Sequence, residues 1–233
     1  VKGVEAFFFG SHERLFGMYH PPVIHPRGHG VVVCPPLFNE YYRSHFTLKR
    51  IATELARKGY DVLRFDYFGT GDSRGVIPSS PFDTWSRDIG DGIHEVRRLA
   101  SCRQVSAITA RFSASLALAW QHDLGKYICW DPVFDGREYL KQMNETHSAS
   151  LAEHVKMSET ERKLHQENDF LGTGISRASF ERSLARFESQ LDDENLSSLP
   201  GECVEVDSEA EWISAGLEMI YAHDVIKRVT DAL

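Results

Sequence analysis

Two hydrophobic rhythms alternate along this chain. Residues 4–19 hold two apolar runs on either side of Gly10-Ser11-His12-Glu13, which predicts an antiparallel hairpin. Pro21, Pro22, Pro26 and Gly28 then punctuate a loop. Gly30-Val31-Val32-Val33-Cys34 follows as an unbroken apolar run, the pattern of a strand buried on both faces. Leu48, Ile51, Ala52 and Leu55 fall three and four apart and predict an amphipathic helix, with Ser44 as its cap and Gly59 just past its end. Residues 61–65 form a second buried strand, so strand, helix and strand imply a right-handed parallel crossover.

The alternation continues. Ser80-Pro81 is a helix start, and Trp85, Ile89, Ile93, Val96 and Leu99 share one face of a helix over 81–100. A strand at 105–109 feeds a helix at 113–121, and Tyr127-Ile128-Cys129-Trp130 is a further strand. Between about 138 and 199 the chain turns charged, with helical spacing at Leu151 and Val155 and again at Phe180, Leu184, Phe187 and Leu191. This reads as a helical lid insertion. A last strand at 203–206 and a helix at 225–233 close a single domain over 1–233. The expected class is α/β, with a mostly parallel sheet and an antiparallel N-terminal hairpin.

Composition narrows the partners. A net charge of -8 repels nucleic acid and anionic membranes, leaving a small-molecule or protein partner. No run approaches the roughly 20 apolar residues of a membrane span, and residues 1–10 show neither a charged n-region nor a cleavage site, so the cytoplasm is the expected compartment. Cys34, Cys102, Cys129 and Cys203 form no C-x-x-C pair and are expected to be buried thiols in a reducing setting. His147, His154 and His165 form no H-E-x-x-H pair and suit solvated helix faces, so no metal is expected. Gly69-Thr70-Gly71 lacks the third glycine of a dinucleotide fingerprint, and no phosphate-binding G-x-x-x-x-G-K exists, so no cofactor is expected either. Phe7, Phe8 and Phe9 read as strand and core residues.

Asp66-Tyr67-Phe68-Gly69-Thr70-Gly71-Asp72-Ser73, directly after a predicted strand, resembles the D-x-x-G-x-G-x-S turn of α/β-hydrolases, particularly their esterase, lipase and aminopeptidase-like branch. The order of elements matches that family over most of the chain. The resemblance implies a nucleophile elbow, G-x-S-x-G, at the end of the next strand. The chain there reads Thr109-Ala110-Arg111-Phe112-Ser113-Ala114-Ser115-Leu116. The elbow needs small residues two before and two and three after its central position. Thr109, Ser113 and Ala114 meet that need around Arg111, whereas Arg111, Ser115 and Leu116 around Ser113 do not. Arg111 is therefore expected at the serine position. A guanidinium stays protonated at any physiological pH and is no nucleophile. The arginine, with Trp130-Asp131-Pro132-Val133-Phe134-Asp135-Gly136, is also similar to hydrolase-like proteins associated with bacterial exosortase and exopolysaccharide gene clusters, whose elbow can read G-L-R-L-G-A.

The same resemblance implies an acid after the last strand, at Asp207, and a base before the final helix, at His223. Their plainer roles are turn residue and helix-start residue. It also implies an oxyanion hole from the amides of Phe112 and of Leu37 or Phe38, in Cys34-Pro35-Pro36-Leu37-Phe38-Asn39-Glu40. Three readings stay open. One is an esterase or thioesterase that uses Ser113 with His223. Another is a non-catalytic relative in which Arg111 binds an acyl or other anionic small molecule. The third is an interaction scaffold in which Arg111 pairs with a buried acid such as Asp131 or Asp207.

Overall fold

The computed structural model describes residues 3–119, 123–154, 156–188, 201–212 and 219–233. The expected residues Gln121, Val155 and Leu191, and the end of the expected insertion from 189 to 199, lie outside them.

Seven strands form one sheet in the order β1-β2-β4-β3-β5-β6-β7. β1 (Glu5–Phe9) and β2 (Leu15–His20) make the hairpin, and β2 also runs antiparallel to β4 (Asp61–Phe65). β3 (His29–Cys34), β5 (Gln104–Ala110), β6 (Lys126–Trp130) and β7 (Glu202–Val206) extend the sheet in parallel. All six residues of β3 are buried, as its unbroken apolar run requires for a central strand covered on both faces.

Helices supply the two covers. α1 (Phe38–Arg57) and α7 (His223–Asp231) close one face through Leu48, Ile51, Leu55, Val225 and Val229. α2 (Pro81–Ala100) and the short α3 (Ser113–Leu118) close the other through Trp85, Ile89, Ile93, Val96 and Leu116. Proline at the first position of α2 costs no hydrogen bond, because that amide has no intrahelical acceptor. Between β6 and β7 come α4 (Gly136–His154), α5 (Glu159–Asn168) and α6 (Arg177–Glu188). Phe180, Leu184 and Phe187 of α6 join the core on the α2 and α3 side.

Several local expectations need correction. α1 begins at Phe38, six residues before Ser44, whose hydroxyl donates to the Glu40 carbonyl inside the helix at 2.8 Å. The helix starts as soon as Pro35-Pro36 is passed, and Ser44 lies on its buried stripe. Cys34, Cys102 and Cys129 are buried free thiols, but Cys203 is free and exposed because β7 is an edge strand. Phe9 is buried, whereas Phe8 points out of the edge strand β1. Among the described residues no helix is long and apolar enough to cross a membrane.

Candidate functional site

The turn after β4 is tied by its own polar groups. Asp66 accepts from the Tyr41 hydroxyl at 2.6 Å and from the Asp72 amide at 2.9 Å. The Ser73 hydroxyl donates to the Asp66 carbonyl and accepts from the Phe16 amide. Gly69 and Gly71 have φ of +78° and +51°, and side chains there would meet the Val76–Ile77 backbone and the Asp66 carboxylate. The motif thus fixes Tyr67 at the C-terminal edge of the sheet, where its hydroxyl donates to Ser113 Oγ at 3.0 Å.

At the end of β5 the chain turns sharply into α3. The left-handed residue of that turn is Arg111, with φ of +55°, a conformation costly for a side chain bearing a Cβ. Ser113 opens the helix two residues later. The Arg111 amide donates to the Trp130 carbonyl at 3.0 Å, which anchors the turn to β6.

The Arg111 side chain is enclosed. Its Nε donates to Glu40 Oε1 at 2.9 Å and one terminal nitrogen donates to the Asp131 carbonyl at 3.2 Å. The guanidinium carbon lies 5.4 Å from the Trp212 ring centre. The side chains of Arg111 and Glu40 are 12% and 1% exposed. Glu40 Oε2 accepts from the Tyr139 hydroxyl at 2.6 Å. Burial pushes the Glu40 carboxyl above its ordinary value, while Arg111, Tyr139 and Arg43 pull it back. The buried acid that meets Arg111 is therefore Glu40. The Asp131 carboxylate is engaged instead by the Ser208 amide and hydroxyl and by Trp212 Nε1. Asp207 is exposed and uses its carbonyl to accept from Arg228.

Ser113, Asp207 and His223 do not meet. Ser113 is fully buried, and its hydroxyl donates to the Pro35 carbonyl while accepting from Tyr67. His223 is exposed at the start of α7 with its ring against Tyr221, and Asp207 borders a depression of about 800 Å3 that also holds Tyr221 and Asp224. The residues named for the oxyanion hole are crowded. Phe38, itself at φ of +55°, packs against Trp85, Tyr139 and Phe180. Phe112 is fully buried, stacked on Tyr139 at 5.3 Å and edge-on to Phe82.

Two spaces remain near the elbow. A cavity of about 20 Å3 touches Glu40, Trp212 and His147, room for one water and no ligand. His147 is partly buried, and its Nε2 is turned inward with no hydrogen-bond partner among the described residues, unlike the solvated side chain its charged segment suggested. His165 is partly exposed beside Asp169, and the His154 side chain lies outside the described residues. A cleft of about 240 Å3 lies between Pro35–Tyr42, the Gly69–Gly71 turn and Leu171, floored by Tyr67 and Trp85.

Glu40, Tyr139, Trp212 and Tyr67 were not singled out from sequence. A signal existed for Glu40 alone: positions 40, 44, 48, 51 and 55 continue the buried stripe of α1 back to the carboxylate.

This architecture, a mostly parallel sheet with an antiparallel start and helices on both faces, recurs among solved structures. A serine hydrolase homologue from Coxiella burnetii superposes with a TM-score of 0.57 at 16% identity, covering 100% of this chain and 99% of that one. The serine hydrolase XC6422 from Xanthomonas campestris, described as having no lid, gives 0.54 at 14% identity over 98% and 92%. DcsB in complex with its substrate analogue gives 0.59 at 11% identity over 98% and 97%. No family model matches the sequence, and no curated protein matches it. The protein has the α/β-hydrolase fold.

Proposed function

We propose that this chain is a hydrolase-fold protein in which Arg111 stands at the nucleophile position and acyl transfer at the elbow has been lost. The observation that carries the reading is the guanidinium closed onto buried Glu40 at the one left-handed residue between β5 and α3. A working nucleophile needs a base within hydrogen-bond reach and an open space for the substrate. Ser113 has neither, since both of its hydrogen bonds are internal and it is fully buried, outside the lining of the aromatic cleft. Anion capture at Arg111 is disfavoured for a similar reason: Glu40 already supplies the counter-charge, and the adjoining space of about 20 Å3 is too small for a ligand.

What remains of the ancestral site is the aromatic cleft over Tyr67 and Trp85, and the protein's role on this reading is to bind a small acyl-type molecule there without cleaving it. α4 to α6 act as a fixed cover over the elbow. The four free thiols suit a reducing, cytoplasmic setting. The test is turnover of p-nitrophenyl acyl esters and an acyl thioester between about pH 6 and 9. No rate above background is expected. A rate that Ser113→Ala abolishes would overturn the proposal.

A further inference from the structure

Among the described residues, Arg64 is a partly buried cation that makes no ion pair with a carboxylate. Two other arginines that reach the interior are paired with carboxylates. Arg14 donates to Asp88 at 2.6 Å, and Arg111 to Glu40 at 2.9 Å. Arg64, on β4, instead donates through Nε to His20 Nε2 at 3.2 Å. His20 is 2% exposed, and burial with Arg64 and Lys49 nearby holds its pKa down to about 4, so its ring is neutral at physiological pH. Among the described residues, no carboxylate oxygen reaches ion-pairing distance of the Arg64 guanidinium. Burial lowers the pKa of the arginine, with Tyr41 and then Asp66 acting against the shift. Arg64 is partly buried with a neutral imidazole as its hydrogen-bond partner, and a bound anion would offset the desolvation of its charge.

The space for such an anion is present. A pocket of about 250 Å3 opens between α1 and the ends of β2, β3 and β4, with Arg64 in its wall. It shares only Pro35 and Tyr41 with the aromatic cleft described above. Met18, Val33, Leu48 and Phe65 give it an apolar lining, and Lys49 at its mouth adds a second positive charge. Asp66 and Asp72 border it as well. Asp66 already accepts two hydrogen bonds, but both acids oppose a dianion more strongly than a monoanion. The volume falls below the roughly 300–1,000 Å3 usual for drug-sized ligands.

We propose that this pocket is a binding site for a small monocarboxylate with an apolar tail, its carboxylate on Arg64 and Lys49 and its tail along Met18, Leu48 and Phe65. The site is separate from the elbow, so its test is independent of whether the elbow is active.

Hexanoate is a suitable probe, with hexan-1-ol as the neutral control and inorganic phosphate as the dianion, all at equal ionic strength. At about ten times its dissociation constant, hexanoate should raise the melting temperature by roughly 3–5 °C, and neither control should do so. Arg64→Gln should lose the shift and Arg64→Lys should keep part of it. If Arg64→Gln fails to fold, phenylglyoxal modification of the native protein reads the same contact. Peptide mass spectrometry should show hexanoate slowing modification at Arg64 about fivefold or more, with exposed Arg74 unaffected; a fivefold slowing means that about four-fifths of the sites are occupied. Equal protection by hexan-1-ol, no protection at tens of millimolar hexanoate, or an undiminished thermal shift in a folded Arg64→Gln protein would each overturn the proposal. A shift with phosphate equal to that with hexanoate would overturn the monocarboxylate assignment.

Discussion

Replacing Arg111 with methionine isolates the ion pair that closes the turn between β5 and α3. The substitution keeps most of the side-chain length and removes the charge opposite Glu40, whose side chain is 1% exposed. At an effective dielectric constant of about 20, charges some 4 Å apart attract by roughly 4 kcal/mol, and breaking a buried pair from one side usually costs about 3–5 kcal/mol. With a urea slope of about 2 kcal/mol per molar, the unfolding midpoint should fall by roughly 1.5–2.5 M. The loss should depend on pH in a particular sense. Burial already raises the Glu40 pKa, and Arg111 is the largest influence lowering it. Without Arg111 the folded-state pKa rises further, so stability is retained below the ordinary glutamate value and lost as pH climbs through the folded value. The variant should therefore trail the wild type by less at pH 5 than at pH 8. Glu40→Met should also be destabilising, because it strands Arg111 and the Tyr139 hydroxyl, and the double variant should recover about 2–3 kcal/mol relative to the sum of the singles. Equilibrium urea denaturation of the four proteins measures all of this. An Arg111→Met protein within about 1 kcal/mol of wild type at pH 8, or strictly additive single effects, would refute the account of the pair.

Other consequences are as open to measurement. Buried His20, with its pKa lowered to about 4, favours folding above the unfolded value of 6.5 and withdraws that support as pH falls toward 4. Asp88, raised to about 6 by burial, acts in the opposite sense over part of that range, so the comparison must be made against His20→Gln, which should show a shallower loss in urea midpoints between pH 7 and 4.5. Gly69→Ala places a Cβ against the Val76–Ile77 backbone at φ of +78° and should cost about 2–4 kcal/mol, visible as a lower melting temperature; an unchanged value would mean the turn is looser than described. Phe180 of α6 is fully buried against Phe82 and Phe170, so Phe180→Ala should cost about 3–5 kcal/mol and speed proteolytic cleavage within α4 to α6 relative to the sheet.

The fold was legible because its signals are local or periodic. Val31 to Cys34 can only be a doubly covered strand, the Trp85–Val96 stripe gives α2 to the residue, and Asp66 to Ser73 carries turn glycines whose positive φ is then found. The start of α1 was misplaced because a serine on a buried stripe was read as a cap. The left-handed turn residue fell at Arg111, the position that small neighbours favoured over Ser113. The partner of Arg111 was not legible, since Glu40 is 71 residues away in sequence and nothing local distinguishes it from Asp131 or Asp207. Spacing brought Asp207 and His223 to the edge of the sheet by name, but it carries no information on side-chain direction. Both are exposed, while Ser113 is sealed beneath Tyr67. Cys203 escaped for a related reason: a strand pattern does not say which strand is the edge.

Intact-mass and peptide mapping of the native protein after exposure to a serine-directed fluorophosphonate, between about pH 6 and 9, bears most directly on the claim that the elbow is structural. With Arg111 closed onto Glu40 and Ser113 committed to Pro35 and Tyr67, no adduct should form at any pH in that range. A stoichiometric adduct on Ser113 would contradict the claim and favour the reading of the chain as a working serine hydrolase.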